Sequence, residues 1–171
     1  MSRRSRGGGK LISAAFRYLK KAKRRQRPGR LDHARRDHLF RGEVRRPHNP
    51  HAPGRGTGYH YRPGGQDFPD RRIVPGSVNR PTPDGPYSAR PEYFDHGGNP
   101  PGWVPKSGNG GVSTFFPDHW TPAQVDAAIP TAFQNARPIP GTSRWEGFYR
   151  GVRIEGWYGP GQSLGNGWPT L

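Results

Sequence analysis

Residues 144–158 read RWEGFYRGVRIEGWY, and this stretch decides the fold. Arg150-Gly151 is a two-residue turn between two runs of strand composition, 144–149 and 152–158. In the second run Val152, Ile154 and Gly156 alternate with Arg153, Glu155 and Trp157, the period of a strand with one buried face. Pro160-Gly161 makes another turn, and 163–169 supplies a last strand. The expectation is a three-stranded antiparallel meander. A helix precedes it. Thr121-Pro122-Ala123-Gln124 places a Thr N-cap, Pro at the first helical position and Gln three residues after the cap. Val125, Ile129, Ala132 and Phe133 form its apolar face, and Pro130 is expected to kink or split it.

Upstream the chain becomes irregular. Val112 to Phe116 has strand composition behind a Gly-Asn-Gly-Gly turn at 108–111. Residues 66–101 are rich in Pro, which removes ladder donors, so only short strands are expected, near 72–74 and 87–94. Residues 41–65 turn repeatedly, and 31–40 read as a short helix carrying His33 and His38. Residues 10–26 have helix-forming composition, with Lys and Arg crowding the C-terminal end as the helix dipole favours. Pro28-Gly29 ends that helix. The class is therefore α+β: short N-terminal helices, then antiparallel sheet.

Composition bounds the functions. The 171 residues allow one domain plus a tail, with 29% hydrophobic residues for a modest core. There is no Cys, which excludes disulfides and thiolate zinc sites. No apolar run reaches membrane-spanning length, and no apolar signal region opens the chain. The net charge of +16 is uneven: residues 1–30 carry 12 of the 28 Lys and Arg and none of the 12 acids. That split marks a basic arm, 1–30, on a domain, 31–171. Such arms bind polyanions through phosphates without reading sequence.

Two histidines stand out. Asp37-His38-Leu39-Phe40 runs into Gly42-Glu43-Val44, and Gly58-Tyr59-His60-Tyr61-Arg62-Pro63-Gly64-Gly65 follows across a basic loop. Imidazoles delivered by separate elements can divide general base and general acid work at neutral pH. RNA cleavage without a metal needs that pair, with its own 2′-OH as nucleophile and a cation beside the phosphorane oxygens.

Four blocks resemble the bacterial EndoU-type ribonucleases, found mostly as nuclease domains of polymorphic and contact-dependent toxins. His38-Leu39-Phe40-Arg41-Gly42-Glu43-Val44 resembles the family's first histidine block, and Gly58-Tyr59-His60 its Gly-aromatic-His block. Lys106, Ser113-Thr114-Phe115-Phe116-Pro117 and Trp120 resemble the Lys and Ser/Thr-Phe-Pro…Trp block. Val152-Arg153-Ile154-Glu155-Gly156 with Trp168-Pro169 resembles the closing hairpin and last strand. The family commonly ends in Thr-x-Tyr-Pro, where this chain has Asn166 and Trp168, and the Gly loop stretches the spacing from Lys106 to Thr114.

The resemblance implies an EndoU/barnase-like architecture, with His38 and His60 as the acid–base pair and Lys106 as the phosphate cation. It leaves open which histidine is the base. Ser113 or Thr114, and Asn166, would contact base or phosphate, and Trp168 would stack on a nucleobase. The products would be 2′,3′-cyclic phosphate and 5′-OH ends, with a preference for uridine. No cofactor is implied, and stimulation by Mn²⁺ is left open. The implied partners are RNA, such as tRNA or another single-stranded RNA, and an acidic immunity protein. The implied route is secretion, or delivery by a specialised non-Sec system into a target-cell cytoplasm; otherwise the protein is expected to be cytoplasmic.

Competing readings are weaker. His48-Asn49-Pro50-His51 with His60 is a poor metal cage, because Pro50 and the Gly loop oppose it and that stretch contains no acid. Gly54, Gly56 and Gly58 lack the frame of a nucleotide loop. His33, His96 and His119 read as surface residues. The rival from another class is a non-catalytic RNA- or DNA-binding protein, which the basic arm and aromatics fit but the two histidine blocks do not explain.

Overall fold

The structure is a computed structural model that describes residues 7–22, 30–49 and 52–171. Among these residues, three α-helices and eleven short strands run in the order α1 (Gly7–Ala22), α2 (His33–Phe40), β1 (Glu43–Arg45), β2 (Arg55–Thr57), β3 (Arg71–Ile73), β4 (Tyr87–Ala89), β5 (Pro91–Asp95), β6 (Gly102–Pro105), β7 (Ser113–Phe115), α3 (Pro122–Gln134), β8 (Arg137–Pro138), β9 (Arg144–Tyr149), β10 (Val152–Tyr158) and β11 (Leu164–Pro169). All pairings between these strands are antiparallel, so the class is α+β.

The C-terminal hairpin forms where the alternation places it. Arg150 and Gly151 both take positive φ, 50° and 78°, the primed turn that matches strand twist. The sheet is larger than the expected meander. β8 pairs with β9 through Arg137↔Glu146, giving the four-stranded order β11-β10-β9-β8. A two-residue strand is too short to leave a period in the sequence. The capping box of α3 is complete: Gln124 N–H donates to Thr121 Oγ1, and Thr121 N–H donates to Gln124 Oε1. Of the kink or split expected at Pro130, the split does not occur: the helix is continuous from Pro122 to Gln134. One helix hydrogen bond is lost, at about 3 kcal/mol. Burial of Val125, Ala128, Ile129 and Ala132 offsets it, at roughly 1.5–3 kcal/mol for each large aliphatic side chain.

Elsewhere tertiary context overrides local pattern. Residues 87–94 are not one strand. Exposed Arg90 separates β4, which pairs with β7, from β5, which lies between β3 and β6. β1 and β2 form a two-stranded ribbon with Glu43 opposite Thr57 in the stretch expected only to turn. α1 begins at Gly7, earlier than the composition placed it, and residues 23–26 of the expected helix lie outside the described residues. Its apolar face is docked: Ala15 and Leu19 are buried, and Phe16 meets the Phe68 ring edge-on.

About half of the buried apolar residues are aromatic, and four of them are tyrosines. Each buried hydroxyl then needs a partner. Tyr59 donates to Asp67, Tyr61 to the Trp120 carbonyl, Tyr87 to Asp118 and Tyr93 to the Gly58 carbonyl. The rings contact one another edge-on around Phe40, Phe68 and Phe115. This aromatic core is the floor on which the two histidine blocks meet.

Candidate active site

α2 starts at the Asp32 N-cap and ends just past His38. The chain returns along its last turn. Tyr59 N–H donates to the His38 carbonyl at 2.9 Å, and His60 N–H to the Leu39 carbonyl at 2.8 Å. These two bonds bring the histidine blocks together, with ring centroids 6.3 Å apart. Gly58 is required for so close a return. Its φ is +75°, and a Cβ there would lie 2.3 Å from the His38 carbonyl oxygen. Its own carbonyl accepts from Tyr93 Oη at 2.8 Å, Lys106 Nζ at 3.1 Å and Ser113 Oγ at 3.3 Å. Gly58 thus ties the second histidine block to β5, β7 and the residue after β6.

The imidazoles are oriented by different partners. His60 Nδ1 lies 2.7 Å from the Thr114 carbonyl, which can only accept, so Nδ1 carries the hydrogen. His38 Nδ1 lies 3.0 Å from Glu43 Oε2, again donating. Both Nε2 edges are left for the cavity that the rings line.

That cavity encloses about 580 Å³. It gathers His38, His60, Lys106, Thr114, Asn166 and Trp168 from the sequence reading. Ser113 is not among its walls: it is buried, and its hydroxyl donates to the Tyr59 carbonyl at 2.9 Å. The alternation of β7 turns Thr114 to the cavity and Ser113 to the core. The walls also include Arg45, Asn109, Arg144 and Trp157, which the sequence reading did not single out. Trp157 had a signal, since it lies on the outward face of the β10 alternation. Its ring sits 6.2 Å from that of Trp168, and the Arg144 guanidinium lies 5.8 Å from its centroid. Arg45, Asn109 and Arg144 stand in loops or at strand ends without any pattern to mark them. Among the described residues, none lining the cavity has a carboxylate side chain.

Electrostatics set distinct states for the charged groups. Burial, then the Lys106 charge, push the His60 imidazolium well below the ordinary range, so this ring is neutral near pH 7. Burial brings the Lys106 ammonium down to about 8, against a smaller opposing pull from Glu43. Burial would raise the Glu43 carboxyl, but hydrogen bonds from His38 and Arg45 outweigh it and hold it below its usual value. Glu43 is therefore an ionised carboxylate behind His38. No cluster of three or more metal-ligating His, Asp or Glu exists among the described residues, and His51 lies outside them.

A cavity walled by two imidazoles, a half-buried ammonium and two indoles has the acid–base and cationic groups that phosphodiester cleavage requires. Comparison with known families agrees: residues 32–171 match the bacterial EndoU nuclease family. The chain belongs to that family and is a nuclease. No curated protein and no solved structure matched it.

Proposed function

We propose that the protein is an endoribonuclease that cleaves RNA without a metal, through attack of the substrate's own 2′-OH. The observation that carries this reading is the paired imidazoles, each held by its Nδ1 and each offering Nε2 to one cavity beside Lys106. His60, neutral at pH 7, takes the 2′-OH proton. His38, backed by the Glu43 carboxylate, gives a proton to the departing 5′-oxygen. The phosphodiester P–O5′ bond breaks as the P–O2′ bond forms, leaving a 2′,3′-cyclic phosphate and a 5′-OH. Lys106 stabilises the phosphorane oxygens. Thr114 and Asn166 supply hydrogen bonds to the base edge, and Trp168 supplies a stacking face. Uridine preference follows from the family resemblance. So do a role as a delivered toxin domain and restraint by an acidic immunity protein, which the net charge of +16 would attract.

The test is incubation with RNA in EDTA, followed by analysis of the ends. Cleavage to 2′,3′-cyclic phosphate, with the all-deoxy analogue left intact, is the expected result. Cleavage only with added metal ion, or ends bearing a 5′-phosphate, would overturn the mechanism. Salt-dependent binding without cutting under either condition would favour the binding-protein alternative.

Lys106 gives a pH signature. Its ammonium deprotonates through about pH 8 in the free protein, so kcat/KM is expected to fall above that pH. A bound phosphate favours the charged form, so the fall in kcat should come at higher pH. Lys106→Arg keeps the charge at every accessible pH and should remove the alkaline limb. An unchanged limb in that variant would show that another group titrates there.

A further inference from the structure

A second groove, of about 560 Å³, lies between α1 and the β3–β5–β6 sheet and shares no lining residue with the histidine cavity, although Glu43 on its wall holds His38. Its walls mix charged residues with three rings. Phe16 comes from α1, and Phe94 and His96 from the end of β5. Phe94 meets His96 at 4.8 Å and Trp103 at 5.4 Å, both edge-on, in a ledge that runs from exposed His96 to Trp103 on the wall of an adjoining depression of about 390 Å³. The Arg72 guanidinium lies 4.4 Å from the Trp103 centroid. Three of the four acids on the groove wall are paired with arginines. Asp70 is held by Arg41 and Arg71, Asp95 by Arg46 and Glu43 by Arg45, while Asp37 faces His33.

Unpaired positive charge beside this groove comes from α1. Lys10, Arg17, Lys20 and Lys21 are exposed, and the helix contains no acid. None of the four forms an ion pair with a carboxylate among the described residues. Lys20 itself lines the groove. A basic amphipathic helix also suits a membrane surface, but there its apolar face must enter the lipid. Here that face is spent on the protein: Ala15 and Leu19 are buried, and Phe16 packs on Phe68. Only the charged side is presented. Cations that track a backbone beside aromatic faces that accept bases are the features of a single-strand nucleic-acid site.

We propose that the groove between α1 and the β3–β5–β6 sheet is a second site for single-stranded RNA, its phosphates held by the α1 cations and its bases stacked along the His96–Phe94–Trp103 ledge. The inference rests on the RNA-cleaving reading of the cavity. The site holds the strand outside the catalytic cavity, so long RNA gains affinity and a dinucleotide gains none. α1 lies outside the stretch matched to the family, whereas the ledge lies within it.

The test compares a fluorescent 20-mer oligouridylate, 2′-O-methylated to prevent cutting, with a cleavable uridine dinucleotide. Two variants are used: Lys10→Gln/Arg17→Gln/Lys20→Gln/Lys21→Gln, and His96→Ala/Trp103→Ala. The charge variant should bind the 20-mer with a log K against log salt slope reduced by about 3, since single strands contribute roughly 0.7 per phosphate contact. The ledge variant should bind it about tenfold more weakly with an unchanged slope. Both should cleave the dinucleotide like the wild type. Wild-type affinity and slope in both variants would overturn the inference and leave the nuclease reading standing. Equal losses on 20-mer and dinucleotide would place the effect in the catalytic cavity and also overturn it. Capture by vesicles of 30% phosphatidylserine through the four cations, with 20-mer binding unaffected, would assign α1 to membranes instead. A wild type that neither binds nor cuts either RNA removes both readings.

Discussion

His60→Ala is expected to lower the cleavage rate by about 10²–10⁴-fold, the range for losing a positioned general acid or base. The argument starts from the backbone. Two hydrogen bonds tie residues 59 and 60 to the last turn of α2, and a third runs from Phe116 N–H to the His60 carbonyl. The main chain therefore holds position 60 when the imidazole is gone. What disappears is a neutral ring whose lone pair faces the cavity, kept neutral by burial and by the Lys106 charge. Truncation also leaves the Thr114 carbonyl without its donor, which costs about 1–3 kcal/mol of stability. Single-turnover kinetics on a uridine-containing oligonucleotide, with a parallel thermal melt, separate the two effects. His38→Ala should lose a similar factor, and the double variant little more than either single one, because the groups act as a unit. A loss below tenfold for His60→Ala in a folded protein would remove this residue from the chemistry.

The histidine blocks were legible because the chemistry dictates residue types at short spacing: a His closing a helix before Gly42-Glu43, and a Gly-aromatic-His that can make a tight return. Local pattern also revealed α3 and the β9–β10 hairpin, since a capping box and a two-residue turn are set by neighbouring residues. The partners of the imidazoles were not legible. Thr114 reaches His60 through a backbone carbonyl, which any residue could supply. The choice between Ser113 and Thr114 depended on the face that β7 turns to the cavity, and three residues are too few to show it. Arg45 and Arg144 are two among many arginines until the fold places them on one wall. The docking of α1 was hidden for another reason. A basic helix with an apolar stripe reads alike whether the stripe meets protein, lipid or water. The deciding contact, Tyr18 Oη to Asp126, spans 108 positions of sequence.

That contact belongs to the largest stability effect expected. Asp126→Ala should cost about 3–5 kcal/mol, the penalty for stranding one member of a buried ion pair. The Arg36 and Asp126 side chains are each only 2% exposed and meet at 2.8 Å. Arg36 also donates to the Leu31 carbonyl. Asp126 accepts in addition from Tyr18 Oη, and burial followed by that hydrogen bond pushes the tyrosine up to about 12. One carboxylate thus joins α1, α2 and α3. Its removal leaves a buried guanidinium without its counter-charge and a half-buried hydroxyl without this acceptor. Replacing both ionic partners together, as Arg36→Met/Asp126→Leu, avoids the stranded charge and should recover most of the loss. Urea unfolding of the single and double variants measures both quantities. The consequence reaches the cavity because Arg36 sits on the helix that carries His38. Asp126→Ala should therefore lose activity at temperatures where the paired variant keeps it. A single variant as stable as the wild type would mean that the three helices are held by their apolar faces alone, and that the ionic cluster sets only which faces meet.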